Sequence, residues 1–219
     1  MIVVIAEATR RSPFAEYADR FAALYEKTNG AISIRELPFL TQINLRADPA
    51  DGEVMGQLVE ALGLDLPRTP NSVATTRDRR AFWLGPNEWL IVAAADQAKV
   101  IEDTWRGAMV GSTASIVDVS ANRTVLLIQG ERAQELLAHG IAIDLHRRGF
   151  APGRCAQTLL AQAQVLVERR KDDPAFHIYV RCSYAPYLAG WLLDAAGGPG
   201  KAQQATQQSA SRRGRTDEG

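Results

Sequence analysis

The stretch Phe82-Trp83-Leu84-Gly85-Pro86-Asn87-Glu88-Trp89-Leu90-Ile91-Val92 places a Gly-Pro-Asn triplet between two apolar runs. Glycine, proline and asparagine favour tight turns, and short apolar runs on either side of such a turn are typical of paired strands. The stretch therefore predicts a β-hairpin. Because the residues from Trp89 to Val92 are all apolar, we expect both faces of the second strand to be buried.

Helical spacing of apolar residues recurs on both sides of this hairpin. Asp51 is the predicted cap of one helix and Gly63 its end, since aspartate accepts from free amides at a helix start and glycine adopts the left-handed end conformation. The predicted helices lie within residues 12–30, 51–63, 96–108, 131–138 and 188–195.

Apolar or alternating segments between these helices predict strands. Besides the hairpin, they are two short strands within 31–46 separated by Pro38, and strands at 114–119, 123–129, near 156–168 and at 175–182. Strand-strand-helix units thus occur twice, in halves of about 31–110 and 111–196. Short links do not supply parallel crossovers, so we predict an α+β fold with a mainly antiparallel or mixed sheet and helices on one face.

The ends of the chain differ from the segment between them. We interpret residues 1–11 as an N-terminal extension and 12–198 as the folded domain. Residues 199–219 are rich in Gln, Ser, Ala and Arg without an apolar period, which predicts a disordered tail.

Composition bears on partners and compartment. The 25 Lys and Arg residues balance the 25 Asp and Glu residues, so we expect neither nucleic acid nor an anionic membrane as a partner. No segment reaches the roughly twenty apolar residues of a membrane span. Without a recognisable export signal, the two cysteines are expected to be reduced and the protein to be cytoplasmic.

Motifs for chemistry are missing from the sequence. The three histidines are scattered, and no glycine-rich dinucleotide or phosphate loop is present. Cys155 lies near His146 in the sequence, but we interpret it as a buried, unreactive thiol. We therefore assign no catalytic, cofactor-binding or metal-binding residue, and we expect no active site in this chain alone.

Several residues are candidates for partner contacts or for structural motifs. Asp118 stands inside an apolar strand, so its carboxylate needs a partner such as Arg123 or backbone amides. Arginines around a Gly-Pro turn can hold an anion or form an inter-subunit salt-bridge patch, or simply belong to a solvated loop. The indoles beside the hairpin turn suit either the core or an interface. The full set is Arg46, Trp83, Glu88, Trp89, Asp118, Arg123, His146, Arg148 and Arg154.

Three segments, 84–91, 118–124 and 152–161, resemble the gamma subunit family of heterotetrameric sarcosine oxidases in residues, order and spacing. The resemblance covers about residues 12–196. More distantly, Val117-Asp118-Val119-Ser120 with the following strand and helix is similar to the folate-binding aminomethyltransferases of the glycine cleavage system. In those enzymes a glycine-rich hairpin carries an acidic residue, whereas Gln162-Ala163-Gln164-Val165-Leu166 has neither glycine nor carboxylate.

The resemblance implies a non-catalytic gamma subunit that supports assembly with alpha, beta and delta subunits. The implied complex demethylates sarcosine oxidatively to glycine, forming hydrogen peroxide and 5,10-methylenetetrahydrofolate or formaldehyde. FAD, FMN, NAD and tetrahydrofolate are then expected in the other subunits and none in this chain. The alternative is a stand-alone folate-binding or aminomethyltransferase-like protein.

Overall fold

A computed structural model describes residues 10–108, 113–171 and 175–197. The predicted tail at 199–219, and all but the last two residues of the predicted extension at 1–11, lie outside the described residues. None of the helices in the described ranges has the length and apolar character that a membrane crossing requires.

The elements alternate in the order that the sequence pattern predicts. The helices are α1 (Ala18–Lys27), α2 (Gly52–Leu62), α3 (Ala98–Ala108), α4 (Ala133–Ala138) and α5 (Ala185–Ala196). The strands are β1 (Ser33–Leu37), β2 (Leu40–Arg46), β3 (Val73–Thr75), β4 (Arg79–Gly85), β5 (Glu88–Ala95), β6 (Ser115–Asp118), β7 (Arg123–Gln129), β8 (Arg154–Leu160), β9 (Ala163–Arg169) and β10 (Phe176–Arg181). Single 3₁₀ turns precede α1 and α5.

The described strands form two antiparallel sheets of five strands each. Sheet I has the order β3-β4-β5-β2-β6, and sheet II has the order β8-β9-β10-β7-β1. Strands β3, β4, β5 and β2 of the first half have the same order in sheet I as β8, β9, β10 and β7 of the second half have in sheet II. The edge strands are exchanged between the halves: β6 comes from the second half and joins sheet I, and β1 comes from the first half and joins sheet II.

The two sheets stack with their helices outside. Helices α2 and α3 enclose one apolar cluster with the outer face of sheet I, and α1, α4 and α5 enclose another with sheet II. A third cluster, which includes Phe82, Leu90 and Tyr179, fills the space between the two inner faces. The predicted α+β class and the position of the helices on one face of each sheet are confirmed. The strands form two sheets where the sequence pattern predicted one.

Local signals explain α2 and the central hairpin. The Asp51 carboxylate accepts from the amide of Val54 at 3.0 Å, and Gly63 ends the helix with a φ of 60°. Strand β5 is buried on both faces as predicted, with Ile91 facing the helices of sheet I and Leu90 facing sheet II.

Two features differ from the sequence-based prediction. The single strand expected near 156–168 is the β8–β9 hairpin, which turns at Ala161 and Gln162. Ala161 has a φ of 51°, a conformation that glycine or asparagine usually supplies, so the turn has no sequence signature. Strand β3, which has only three residues, is not among the predicted strands.

Candidate functional site

A cluster of polar side chains lies buried between the two sheets. Arg80 of β4 places Nη1 2.9 Å from Oε2 of Glu168 on β9 and 2.5 Å from Nδ1 of His177 on β10. The same Glu168 oxygen lies 3.0 Å from His177 Nδ1, and the Tyr179 hydroxyl donates to it at 3.5 Å. The cluster therefore connects one strand of sheet I with two strands of sheet II.

Burial and pairing together determine the charges in this cluster. Burial raises the pKa of Glu168, but the contact with His177 and the positive charge of Arg80 outweigh this effect, so its pKa lies below the ordinary value. Burial is also the main reason why the pKa of His177 is lowered, and the charge of Arg80 adds to it. Burial, followed by the charge of Glu168, raises the pKa of Tyr179.

The cluster has the properties of a structural connection between sheets. Arg80 Nη1 carries two hydrogens and can donate to both Glu168 and His177. The lowered pKa of His177 favours a neutral imidazole near pH 7, and its tautomer decides whether Nδ1 accepts from Arg80 or donates to Glu168. Sequence reasoning missed this cluster. A histidine within the apolar run Phe176-His177-Ile178-Tyr179-Val180 was the available signal, because such a residue needs a buried partner.

The predicted residues of the hairpin divide between core and surface. Trp89 is fully buried beneath α2 and α3, and its Nε1 donates to the carbonyl oxygen of Pro67 at 2.8 Å. Trp83, its cross-strand neighbour, is half-buried. On the other face Glu88 accepts from Arg46 Nη2 at 2.7 Å, in a cross-strand ion pair of β2 and β5.

Asp118 does not have the buried environment expected from its apolar strand. Strand β6 is at the edge of sheet I, and Asp118 at its end is exposed. Its carboxylate accepts from the backbone amide of Ser120 at 2.9 Å and from the Ser120 hydroxyl at 2.5 Å. A backbone amide and a hydroxyl are thus its hydrogen-bonding partners, and Arg123 is not.

The arginine-rich segment around the predicted Gly-Pro turn lies at the surface. His146 and Arg148 are exposed in the loop after α4, and the Arg148 amide donates to His146 Nδ1 at 3.3 Å. Arg154 is half-buried at the start of β8. Their use as a partner contact remains a prediction.

Cys155 has no properties of a nucleophile. It is fully buried, and its sulfur lies 3.7 Å from the Ser72 carbonyl oxygen and 3.8 Å from that of Trp83. Burial raises the pKa of its thiol to about 12, so the thiolate is not populated near neutral pH. The described ranges contain no group of three or more His, Cys, Asp or Glu side chains placed to bind a metal ion.

Arg123, the remaining predicted residue, lines a groove on sheet II. The groove has a volume of about 530 Å³ and also includes Leu84 at the end of β4, Gln157 and Leu159 of β8, Gln164 of β9 and Arg181 of β10. Arg123 and Arg181 stand opposite each other on neighbouring strands. The groove brings together polar side chains that remain accessible at the surface, namely those of Arg123, Gln157, Gln164 and Arg181.

Two stacked antiparallel sheets with helices on their outer faces define the fold class of this chain. An aminomethyltransferase T of the glycine cleavage system from Bartonella henselae shares this fold, with a TM-score of 0.55 and 16% identity over 74% of this chain and 45% of that chain. At this identity the likeness concerns the fold alone.

A second comparison identifies the family. A chain of the heterotetrameric sarcosine oxidase from Corynebacterium sp. U-96, solved in complex with pyrrole 2-carboxylate, has a TM-score of 0.78 and 34% identity, covering 87% of this chain and 96% of that one. The sarcosine oxidase gamma subunits of Corynebacterium sp. strain U-96 and Arthrobacter sp. are 35% and 34% identical over 85% of this chain and 89% of their own length. The model of the "Sarcosine oxidase, gamma subunit family" matches residues 46–198. The chain belongs to this family.

Proposed function

We propose that this chain is the gamma subunit of a heterotetrameric sarcosine oxidase and supports its assembly with alpha, beta and delta subunits. Its relatives carry the name of that subunit, and they match over most of both chains. This is the observation that carries the proposal. The complex would convert sarcosine to glycine with formation of hydrogen peroxide and 5,10-methylenetetrahydrofolate or formaldehyde.

The chain itself contributes no catalytic group in this proposal. Arg80 and Glu168 form a buried ion pair across the sheets, the neutral His177 contacts both, and the Cys155 thiol is buried and protonated. These contacts support a scaffold role, since the groups with unusual pKa values are used to hold the fold together. FAD, FMN, NAD and tetrahydrofolate would be bound by the other subunits.

The test is to express the chain alone, the other three subunits alone, and all four together. We expect the isolated chain to show no flavin absorption and no sarcosine-dependent peroxide formation. The four-subunit sample should contain this chain in stoichiometric amount after size-exclusion chromatography. Flavin binding or sarcosine turnover by the isolated chain would contradict the proposal, as would failure to co-purify with the other subunits.

The alternative of a stand-alone folate-binding protein makes a different prediction. In that case the isolated chain would bind tetrahydrofolate with a defined stoichiometry in a calorimetric titration. A scaffold subunit should show no saturable binding at the same protein concentration.

A further inference from the structure

Two arginines line the groove on sheet II. Arg181 of β10 pairs in register with Arg123 of β7, and both line the groove. Directly opposed residues on antiparallel strands have Cβ atoms about 4.5–5.5 Å apart, and like charges in such a pair are destabilising. The pair therefore costs stability in the isolated chain.

Neither guanidinium has a partner that would neutralise it among the described residues. Within the ranges 10–108, 113–171 and 175–197, no salt bridge or hydrogen bond involves the guanidinium group of Arg123 or Arg181, and the contact of Arg123 with Gln42 is made by its backbone carbonyl oxygen. Glu88 is the acidic group that acts on Arg123 at longer range, but its two oxygens already accept from Asn44 and Arg46.

Burial and repulsion both act on Arg123. The residue is half-buried, and burial followed by the nearby charge of Arg181 lowers its pKa. An arginine remains charged under these conditions, so the unfavourable energy persists until an anion approaches. The groove thus presents a positive charge that the chain itself does not neutralise.

The surroundings of the pair suit a carboxylate carried on a protein surface. Gln157 and Gln164 are exposed at the groove, and Gln157 Nε2 donates to the carbonyl oxygen of Leu84 at 3.0 Å. Leu159, 46% exposed, adds an apolar contact beside the cations. Guanidinium groups hold carboxylates through two parallel hydrogen bonds, which makes arginine the preferred residue for interface ion pairs.

We propose that Arg123 and Arg181 bind a carboxylate side chain of a partner subunit. An apolar side chain beside that carboxylate on the partner would contact Leu159. This inference rests on the proposed function, because it requires a complex for the chain to join. It goes further by assigning the groove as an interface and an acidic segment as the partner's contribution. The arginine pair lowers stability in the free chain and gains a counter-ion on assembly.

The experiment compares the wild-type chain with the Arg123→Gln/Arg181→Gln double variant in binding to the remaining subunits. Because an interfacial charge would lose its partner, we expect the dissociation constant to rise about 30-fold or more at low salt. The wild-type constant should rise with salt concentration, and that of the double variant should respond much less. Thermal unfolding of the isolated double variant should occur at the same or a higher temperature, since the repulsion is removed.

The control is the Arg68→Gln/Arg77→Gln double variant, which removes the same charge from exposed positions on the side of sheet I. It should bind like the wild type. Arg181→Gln alone, at an exposed position, repeats the test without changing the half-buried Arg123. Equal binding by the wild type and both groove variants would overturn the inference and leave the proposed function intact.

Two further outcomes are decisive. Saturable binding of free glutarate by the isolated chain, with unchanged subunit affinity of the groove variants, would make the groove a small-molecule site and overturn the inference. Failure of the wild-type chain itself to bind the other subunits would overturn the proposed function and this inference together.

Discussion

Arg80 and Glu168 form an ion pair of 2.9 Å across the two stacked sheets, although 88 positions separate them in the sequence. Their side chains are 12% and 4% exposed, so the pair lies in a region from which water is largely excluded. His177 and Tyr179 complete the cluster from the neighbouring strand. The stacking of the sheets therefore depends on charged groups as well as on apolar packing.

Replacing Glu168 by glutamine should lower the free energy of unfolding by about 3–5 kcal/mol, since loss of one member of a buried pair leaves the other charge uncompensated. Urea unfolding followed by tryptophan fluorescence measures the change. Glu135→Gln is the matched control, because Glu135 forms an ion pair with Arg132 on the exposed surface and should change stability very little. A Glu168 variant as stable as the Glu135 variant would show that the cluster does not stabilise the sheet stacking.

The same cluster predicts how stability depends on pH. The pKa of His177 in the folded chain is below its ordinary value of 6.5, so this histidine takes up a proton at a higher pH in the unfolded chain than in the folded chain. The folded state therefore loses stability as the pH falls below that value. The pKa of Glu168 is below 4.5, so its contribution is present above that pH and is lost as the pH falls through the folded pKa. We expect stability to decrease in two stages on acidification.

Urea unfolding from neutral pH to about pH 2 would resolve the two stages, the first of which belongs to the histidine titration range. In His177→Gln the first stage should disappear, whereas the same substitution at the exposed His139 should leave it in place. A first stage that survives in His177→Gln would assign it to another group.

Gly130 and Gly56 should respond oppositely to alanine. Gly130 has a φ of 111°, and an added Cβ would lie 2.4 Å from the carbonyl oxygen of Ala31. We expect Gly130→Ala to lose about 3 kcal/mol or more, because an unfavourable backbone conformation alone costs about 1–3 kcal/mol and the carbonyl must also move. Gly56 lies exposed within α2 with open space around it, so Gly56→Ala should gain about 0.5–1 kcal/mol. Paired urea titrations would test both, and equal effects would contradict the assigned backbone conformation.

The two thiols should differ in reactivity towards a chromogenic disulfide reagent. Cys155 is fully buried with a pKa of about 12, whereas Cys182 is half-buried and its pKa is raised less, mainly by burial. We expect Cys182 to react in the native protein and Cys155 only after unfolding. Cys182→Ser should abolish the native reaction and Cys155→Ser should retain it. Rapid native labelling of the Cys182 variant would show that the Cys155 region opens readily.

Local patterns correctly predicted the elements whose signals lie within a few residues. The cap at Asp51, the left-handed Gly63 and the turn before Glu88 each act on neighbouring backbone, so sequence spacing describes them fully. The β8–β9 turn escaped prediction because Ala161 takes a conformation that its residue type rarely adopts, and surrounding contacts hold it there. The amide of Ala161 donates to the carbonyl oxygen of Gly140 at 2.9 Å.

The candidate sites were predicted only in part for the same reason. Arg123 was predicted as a possible partner of Asp118, but its neighbour Arg181 lies 58 residues further along the chain and meets it through strand pairing. Glu168 and Arg80 carried no signal of their own, since charged residues near strand ends are usually solvated.

The sequence alone therefore determined the α+β class, the repeated order of strands and helices, and the family to which the chain belongs. Turn chemistry, helix caps and apolar periodicity are local properties, and each depends on residues that are close together in the sequence. The tertiary structure alone decided that β1 and β6 exchange sheets, that Arg80 meets Glu168, and that Arg123 meets Arg181. These pairings join residues far apart in the chain, and they are selected by the burial of both sheet faces together, which no single segment can specify.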